Sequence, residues 1–450
     1  MKILHLPAYF QPEHAASSYL VDSMYHAFTA DGMEMVVFTP VPTRGISDEL
    51  KKVYRHRRKE MLYGGRMAVH RFLLMDECQN SVGRAFRYFI SCLKQFWKGS
   101  FSQESRECDL LFVFSTPPIQ GAMAALVKKV HKMPFVYNLQ DIFPDSLVGT
   151  GLAKKGGLLW KIGRVIENFT YRNADKIIVI SEDFKRNIMA KGVPEEKIVV
   201  VYNWVDEEAV VDVPREENKL FDKYGLDRSK FYVTYNGNIG LTQNMDMLLE
   251  VAKELSPTPT LPRREEESSP TPNPSPVGRG ISPSDGSDAD AHRLRDIHFV
   301  LVGEGAYKAE VEKRIKEQGI TNVTLLPFQP YEDISHVFSL GDVSLVISKP
   351  GVGANSVPSK TWSIMSASRP VLANFDENEL KTIIEDHHCG IFTKAGDKKA
   401  FKAAILKLYH HPELCKEYGR NGRQFVMDNL TKEVGTRKYV DVIKQFASKS

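Results

Sequence analysis

SKPGVGANSVPSKTWSIMSASRPVLA runs from Ser348 to Ala373. It begins as a glycine- and serine-rich loop carrying Lys349 and Lys360, passes through a run of small and apolar residues, and returns at Arg369–Ala373 to the pattern of a buried strand. The apolar run Val343–Ile347 just upstream reads as another buried strand. The stretch is therefore the connection of a strand–loop–helix–strand unit, the repeating unit of a parallel α/β sheet. Pro358 suits a first helical turn, so the helix is expected to start near Pro358 or Ser359. A helix start with a lysine beside it suits a diphosphate. The plainer alternative is a helix cap with a solvated lysine.

Working outward, the same alternation fills the chain. Buried-strand patterns occur at Lys2–Leu6, Met35–Phe38, Leu110–Phe114, Phe135–Leu139 and Lys176–Ile180, then at Tyr232–Tyr235, His298–Val302, Val323–Leu326, Val343–Ile347 and Pro370–Ala373. Helical patterns lie between them, as at Ser17–Ala30, Gln120–His131, Met245–Leu255 and Ala306–Gln318, and Thr431–Ser450 closes the chain. There are too many strands for one sheet, and the irregular, polar stretch Val201–Pro214 is the expected boundary. The expected division is 1–202, 203–430 and a terminal helix 431–450. One segment breaks the pattern: Ser256–His292 is rich in Pro, Ser, Gly and charge and nearly empty of apolar residues. Such composition cannot bury enough surface to order itself and predicts a disordered insertion at a loop. Its Asp288–Asp290 triplet imitates a metal-binding DxD by chance.

The bulk composition narrows the function classes. A chain of 450 residues, 42% hydrophobic and 26% charged, has material for two cores of about 200 residues each. A net charge of +4 gives no global argument for nucleic acid. The five cysteines, Cys78, Cys92, Cys108, Cys389 and Cys415, are scattered without CxxC or zinc spacing, which points to a reducing cytoplasm. MKILHLPAYF has no signal core and reads as the first strand. No apolar stretch is long enough to span a membrane. His387-His388-Cys389 lacks further ligands at useful spacing, and no metal is expected.

Other stretches carry candidate chemistry. In YVTYNGNIGLTQNMDML a strand ends in a turn with Gly237, Asn238 and Gly240, followed by Gln243 and a helix. In HFVLVGEGAYKAEV a second strand ends in Gly303, Glu304 and Gly305. Glycines let backbone approach a ligand, and the carboxyl edge of an open α/β sheet is where ligands bind. Two such turns point to a nucleotide site on that edge. In VYNLQDIFPDSLVGTG, Asp141 follows a strand and could orient a substrate hydroxyl or move a proton. In GRAFRYFISCLKQFWKGS, Arg84, Arg87, Lys94 and Lys98 mix with Phe86, Phe89, Leu93, Phe96 and Trp97 at helical spacing. That pattern fits either an anionic membrane surface or a core-packed helix with solvated basic residues.

Taken together, QDIFPDSLVGTG, ADKIIVISEDFKRNI, VYNWVD, YNGNIGLTQNMD, FVLVGEGAYK, VTLLPFQP and VPSKTWSIMSASRPVLA resemble, in this order, the GT-B glycosyltransferases of family 4, in particular the bacterial branch that builds surface polysaccharides such as O-antigen, capsule and exopolysaccharide. The resemblance implies two Rossmann-like domains facing a cleft, with the last helix crossing back to the N-terminal domain. It implies a retaining, metal-independent transfer of a hexosyl or N-acetylamino sugar from a nucleotide-sugar to a lipid-linked glycan. It implies no cofactor and no nucleic-acid partner, and a cytoplasmic protein peripheral on the inner face of the plasma membrane. By position, Gly237–Gly240 and Lys360, with Ser359 at the helix start, would hold the diphosphate. Gly303–Gly305 and Phe328 would border the base, and Asp141, Gly351 and Gly353 would face the transferred sugar. Ser17 and Ser18 represent the N-terminal glycine loop on the acceptor side, with Arg84, Arg87, Lys94 and Trp97 towards the membrane. The family usually carries two glutamates separated by seven residues, and here Asn355 and Ser363 take those places. Those departures leave open a non-catalytic scaffold in a polysaccharide assembly complex. A nucleotide-sugar epimerase would need acids and histidines converging on the sugar, and no such set stands out.

Overall fold

The computed structural model describes residues 1–13, 18–77, 81–149, 154–256, 297–353 and 357–447. The expected insertion beyond Ser256, its Asp288–Asp290 triplet, Ser17 and Asn355 lie outside the described residues.

Two sheets divide the chain. The first holds β1 (Lys2–His5), β2 (Glu34–Pro40), β3 (Lys59–Leu62), β4 (Met67–Phe72), β5 (Leu110–Phe114), β6 (Phe135–Leu139), β7 (Lys176–Val179) and β8 (Ile198–Val200) in the order β3-β4-β2-β1-β5-β6-β7-β8. All pairs are parallel except β3 with β4. The second holds β9 (Phe231–Asn236), β10 (Ile297–Val302), β11 (Val323–Leu326), β12 (Val343–Ile347), β13 (Val371–Phe375) and β14 (Gly390–Lys394) in the order β11-β10-β9-β12-β13-β14, all parallel. Ten strands sit where apolar runs predict them. The four others, β3, β4, β8 and β14, lie at or next to sheet edges. β3 alternates exposed and half-buried residues, and β14 is half-buried for most of its length, so neither shows a continuous apolar run.

The first sheet is covered on both faces. Helices Ser81–Phe101, Gln120–His131 and Leu158–Asn173 pack side by side over one face, against Val113, Phe135 and Tyr137. The other face is closed by helix Ser18–Ala30 and by the terminal helix Lys432–Lys444, which crosses back from the second half. Tyr439 of that helix meets Phe112 and Trp204 edge to face, and Lys444 pairs with Asp31 at 2.6 Å. Burying these aromatics ties the two halves with more than a linker.

Each sheet reverses its strand order once near the middle: β5 follows β1 on the opposite side from β2, and β12 follows β9 on the opposite side from β10. At such a switch point adjacent connections run to opposite faces and leave a crevice at the strand carboxyl ends. Both candidate sites lie at these crevices.

Candidate active site

The crevice of the second sheet is built from two interlocked turns. Gly237 follows β9, and its N–H donates to Val302 O at 2.9 Å. Ile239 N–H donates to Glu304 O at 2.8 Å, and Tyr307 N–H donates to Ile239 O at 3.0 Å. The turns lie so close that a Cβ on Gly303 would sit 1.9 Å from Gly237 O, and one on Gly305 would sit 2.3 Å from Ile239 O. These two glycines are needed because two backbones meet, a different reason from approach to a ligand. Gln243 Oε1 accepts from Gly240 N–H at 3.1 Å, and Asn238 packs beside Gly240 and Gly305. The amides of Gly237, Ile239 and Gly240 are thus engaged within the protein. Glu304 points outward and pairs with Lys308 at 2.7 Å, and Phe328, beyond β11, is largely exposed.

Lys360 opens the helix Lys360–Ser366 and reaches back into this crevice. Its Nζ lies 3.9 Å from the centroid of the Tyr235 ring and 3.2 Å from where a Gly237 Cβ would be. A side chain at 237 would displace the amine. No carboxylate among the described residues pairs with Lys360, and burial alone pulls its ammonium down to about 7. A partly buried amine without a counter-ion, at the carboxyl edge of a sheet, is poised to take a proton when an anion arrives. Ser359 precedes it, exposed and with no side-chain cap bond, and Ser363 is half-buried on the same helix.

The loop after β12 is held from a direction the local sequence does not show. Asp376, after β13, accepts from Gly351 N–H at 2.9 Å and from Gly353 N–H at 2.8 Å. Asn378 Nδ2 donates to Gly353 O at 3.0 Å. The amides of both loop glycines are therefore closed to a ligand, and a Cβ on Gly353 would overlap the Phe375 ring. The next residue, Glu379, crosses to the first half. It accepts from Glu182 N–H at 2.8 Å and from the Tyr202 hydroxyl, while its own N–H donates to Asp183 at 2.8 Å. Two helix N-termini, at Glu182 and Glu379, thus exchange carboxylates across the cleft. Desolvation holds the Glu379 carboxyl above its ordinary range despite these donors.

The crevice of the first sheet is a cavity of about 660 Å³. Its walls come from the segment after β1 (Tyr9, Phe10), helix Ser18–Ala30 (Tyr19, Tyr25), Phe114, Tyr88, Trp204 and Tyr439, so aromatic rings make up much of it, with the charged Glu13, Asp22 and Arg44 among them. Polar groups stand at the strand ends: Asn138 near the end of β6 and Gln140 just after it, with Asn203 Nδ2 donating to Gln140 Oε1 at 2.9 Å. Ser18 lies on the wall as the first residue of its helix. Asp141 is not on this wall: the alternation along β6 turns it to the other side, where it lines a separate small pocket with Pro118, Phe143 and Tyr171. Its N–H and that of Gln140 donate to Ser115 Oγ at 3.3 and 3.0 Å, and desolvation holds its carboxyl above the ordinary range against donors from Ser146 and the Ile142 amide.

One expected surface residue is corrected. Arg87 is buried, donates to Met75 O at 3.1 Å and Thr43 Oγ1 at 2.9 Å, and lies over the ring of Tyr9 on the cavity side. It supports the cavity wall and does not face solvent. Arg84, Lys94 and Trp97 are exposed, with Lys94 Nζ donating to Leu73 O at 2.8 Å. Asp376, Glu379, Gln140 and the aromatic cavity wall are absent from the sequence reading. An acid-rich run directly after a buried strand, Asp376–Glu379, was the available signal for the first two.

Two facing Rossmann-like sheets, each with a crevice at its switch point and a terminal helix returning to the first, define the GT-B fold. A "Glycosyl transferase 4-like domain" model matches residues 18–204, and a "Glycosyl transferases group 1" model matches residues 288–425. The chain belongs to glycosyltransferase family 4. The WcaI glycosyl transferase of Escherichia coli (strain K12), assigned to colanic acid biosynthesis, is 24% identical over 99% of this chain and 100% of its own. Among solved structures, Anabaena HepE in complex with UDP superposes with a TM-score of 0.66 at 16% identity, covering 99% of this chain and 100% of HepE. WaaG, a glycosyltransferase involved in lipopolysaccharide biosynthesis, superposes at 0.62 and 13% identity, covering 98% and 99%.

Proposed function

We propose that this chain transfers a sugar from a nucleoside-diphosphate sugar, held at the second crevice, to a lipid-linked glycan, held in the aromatic cavity of the first, during assembly of a bacterial surface polysaccharide. The observation that carries this reading is Lys360: a partly buried amine with no carboxylate partner among the described residues, at the switch point of the second sheet. An anionic diphosphate is the ligand that such an amine lacks. Relatives support the polysaccharide context, since WcaI is assigned to colanic acid and WaaG to lipopolysaccharide, and HepE binds UDP. The acceptor half is 1–202, the donor half 203–430, and the helix after 431 returns to the acceptor half.

In the proposed mechanism the bond from the anomeric carbon to the diphosphate loosens first, leaving an oxocarbenium-like sugar. Lys360 gives its positive charge to the departing diphosphate, the role a preorganised donor plays best in a crevice shielded from water. The acceptor hydroxyl bonds to the same face and its proton passes to the departing phosphate oxygen, so that configuration is retained. No metal ion enters this scheme. Gln140, just after β6, orients sugar hydroxyls. The aromatic cavity wall favours an acceptor with an apolar or ring-bearing part.

The test is the melting temperature of the full chain against UDP, GDP, dTDP and their sugar conjugates. A ligand bound only by the folded state at a hundred times its Kd adds about 2.7 kcal/mol of stability. A shift with one nucleotide and its conjugate is expected. No shift with any at saturating concentration would replace this reading with a non-catalytic scaffold.

A further inference from the structure

The loop after β1, the loop after β2 and helix Ser81–Phe101 meet at one corner of the first crevice, and that corner is crowded with charge. Arg44, exposed on the cavity wall, and Arg87, 1% exposed behind it, each place their guanidinium carbon 5.5 Å from the centre of the Tyr9 ring. Arg87 donates from Nε to Met75 O at 3.1 Å and from Nη2 to Thr43 Oγ1 at 2.9 Å, and its Nη1 meets no acceptor. Neither guanidinium forms an ion pair with a carboxylate among the described residues. A guanidinium cannot shed its proton to escape burial, so a buried one without a counter-ion is costly to keep.

The nearby acids are committed to other donors. Glu13 accepts from the N–H groups of Phe10, Thr43 and Arg44 at 3.3, 2.7 and 2.9 Å. Desolvation holds its carboxyl above the ordinary range, opposed first by these amides and least by Arg87. Glu77 accepts from the Tyr9 hydroxyl at 3.0 Å. Asp22, on the helical wall, accepts from the Tyr63 hydroxyl and lies 3.7 Å from His26. Amides and phenols hold these carboxylates in place, and none is turned onto an arginine. A strut that only tied Thr43 to Met75 would need no charge, because a neutral amide could donate to both. Burying a cation to make two such bonds gains nothing unless a further group needs the charge.

We propose that this corner is an oxyanion subsite of the acceptor site, and that the acceptor is an acidic glycan carrying a carboxylate or a phosphate ester. Arg44 binds the anionic group directly, its planar fork matching two oxygens. Arg87 is a positioning residue: it holds the Tyr9 ring and adds a fixed positive charge behind it, where aromatic walls limit screening by water. The sugar ring lies against Tyr9 and Tyr88, whose hydroxyls share a 3.0 Å bond and whose rings meet edge to face. The purpose of the subsite rests on the reading of the first crevice as the acceptor site, and its chemistry on the two arginines alone.

The experiment is ligand-observed NMR of the full chain with three soluble probes: methyl glucuronide, glucosyl phosphate and the neutral methyl glucoside. At least one anionic probe is expected to bind about tenfold tighter than the glucoside, the gain from one charged hydrogen-bonded pair. Arg44→Ala, which changes an exposed side chain, should remove that preference and leave binding of the glucoside unchanged. Arg87→Met should reduce it several-fold and Arg87→Lys, which keeps the charge, should restore it, whereas a role confined to propping the wall would move the glucoside equally. Lys360→Met should leave the preference intact, which keeps the donor crevice out of the result. Preference for the glucuronide alone assigns a uronate acceptor, for the phosphate alone a phosphorylated one, and for both an acceptor read by its charge. Anionic probes that bind no better than the glucoside, a preference that survives Arg44→Ala, or one lost in Lys360→Met overturns the subsite. So does failure of all three probes to bind at millimolar concentration. Melting shifts with nucleotides, read on the same samples, keep the two proposals apart. An Arg44-dependent anion preference without any nucleotide shift would remove the donor reading and leave the subsite standing, and a nucleotide shift without anion preference would leave a transferase with a neutral acceptor.

Discussion

If Lys360 meets the donor diphosphate, binding must be linked to proton uptake. Free, its ammonium titrates at about 7, so at neutral pH roughly half the molecules carry the charge that the diphosphate needs. A bound diphosphate raises that value, because an adjacent anion favours the charged form. Between the free and bound values each binding event draws a proton from solution: about 0.5 at pH 7 and about 0.9 at pH 8. Donor affinity should therefore fall about 50-fold from pH 7 to pH 9. The diphosphate diester of a nucleotide-sugar does not titrate in this range, so the effect belongs to the protein. Isothermal calorimetry in two buffers of different ionisation enthalpy reads the uptake directly. Lys360→Met should abolish both the uptake and the pH dependence while weakening binding at pH 7. The same residue makes an opposite prediction for the empty protein. Its value is lowered on folding from 10.5, so the unfolded chain binds more protons between about 7 and 10.5, and its contribution to stability rises with pH across that window. Lys360→Met should then stabilise the unliganded chain at pH 7 by up to ~4 kcal/mol. A variant that binds donor as tightly as the native chain, with no proton uptake at pH 8 in either, would remove Lys360 from the site.

Further expectations follow from the surrounding contacts. Gly303→Ala places a Cβ against the Gly237 carbonyl, a backbone atom that cannot swing aside, and should lower stability by about 3 kcal/mol in urea melts and abolish nucleotide binding. Glu379→Gln removes the charged acceptor shared by Glu182 N–H and Tyr202, a loss of about 1–3 kcal/mol, and should raise KM for the donor several-fold through the loop that Asp376 and Asn378 hold. An unchanged KM would mean that the contact across the cleft is not coupled to the loop.

What was legible in the sequence is what apolar periodicity writes locally. Central parallel strands such as Phe135–Leu139 and Val343–Ile347 are buried on both faces and announce themselves as apolar runs, whereas β3 and β14 carry charged and half-exposed residues and blend into loops. The glycines of the second sheet were legible as special positions, but not their reason: Gly303 and Gly305 answer to Gly237 and Ile239, more than sixty residues away. Asp376 and Glu379 act on Gly351, Gly353 and Glu182, contacts that no local window holds. Helix Ser81–Phe101 is apolar on two stripes, so periodicity alone could not say which faces the sheet. That ambiguity is why Arg87 was expected outside and is found inside. The aromatic cavity draws its walls from segments spread between Pro7 and Tyr439 and exists only once both halves have met.

The most direct test of the central claim follows the sugar itself. The full chain would be incubated with each radiolabelled nucleotide-sugar, with and without a bacterial lipid extract, and label in the organic phase counted against nucleoside diphosphate released. The account predicts that one donor is consumed, that label enters the lipid phase in proportion to the nucleoside diphosphate formed, and that Lys360→Met stops both. A nucleotide-sugar that binds and raises the melting temperature, yet is never consumed with any extract, would contradict it.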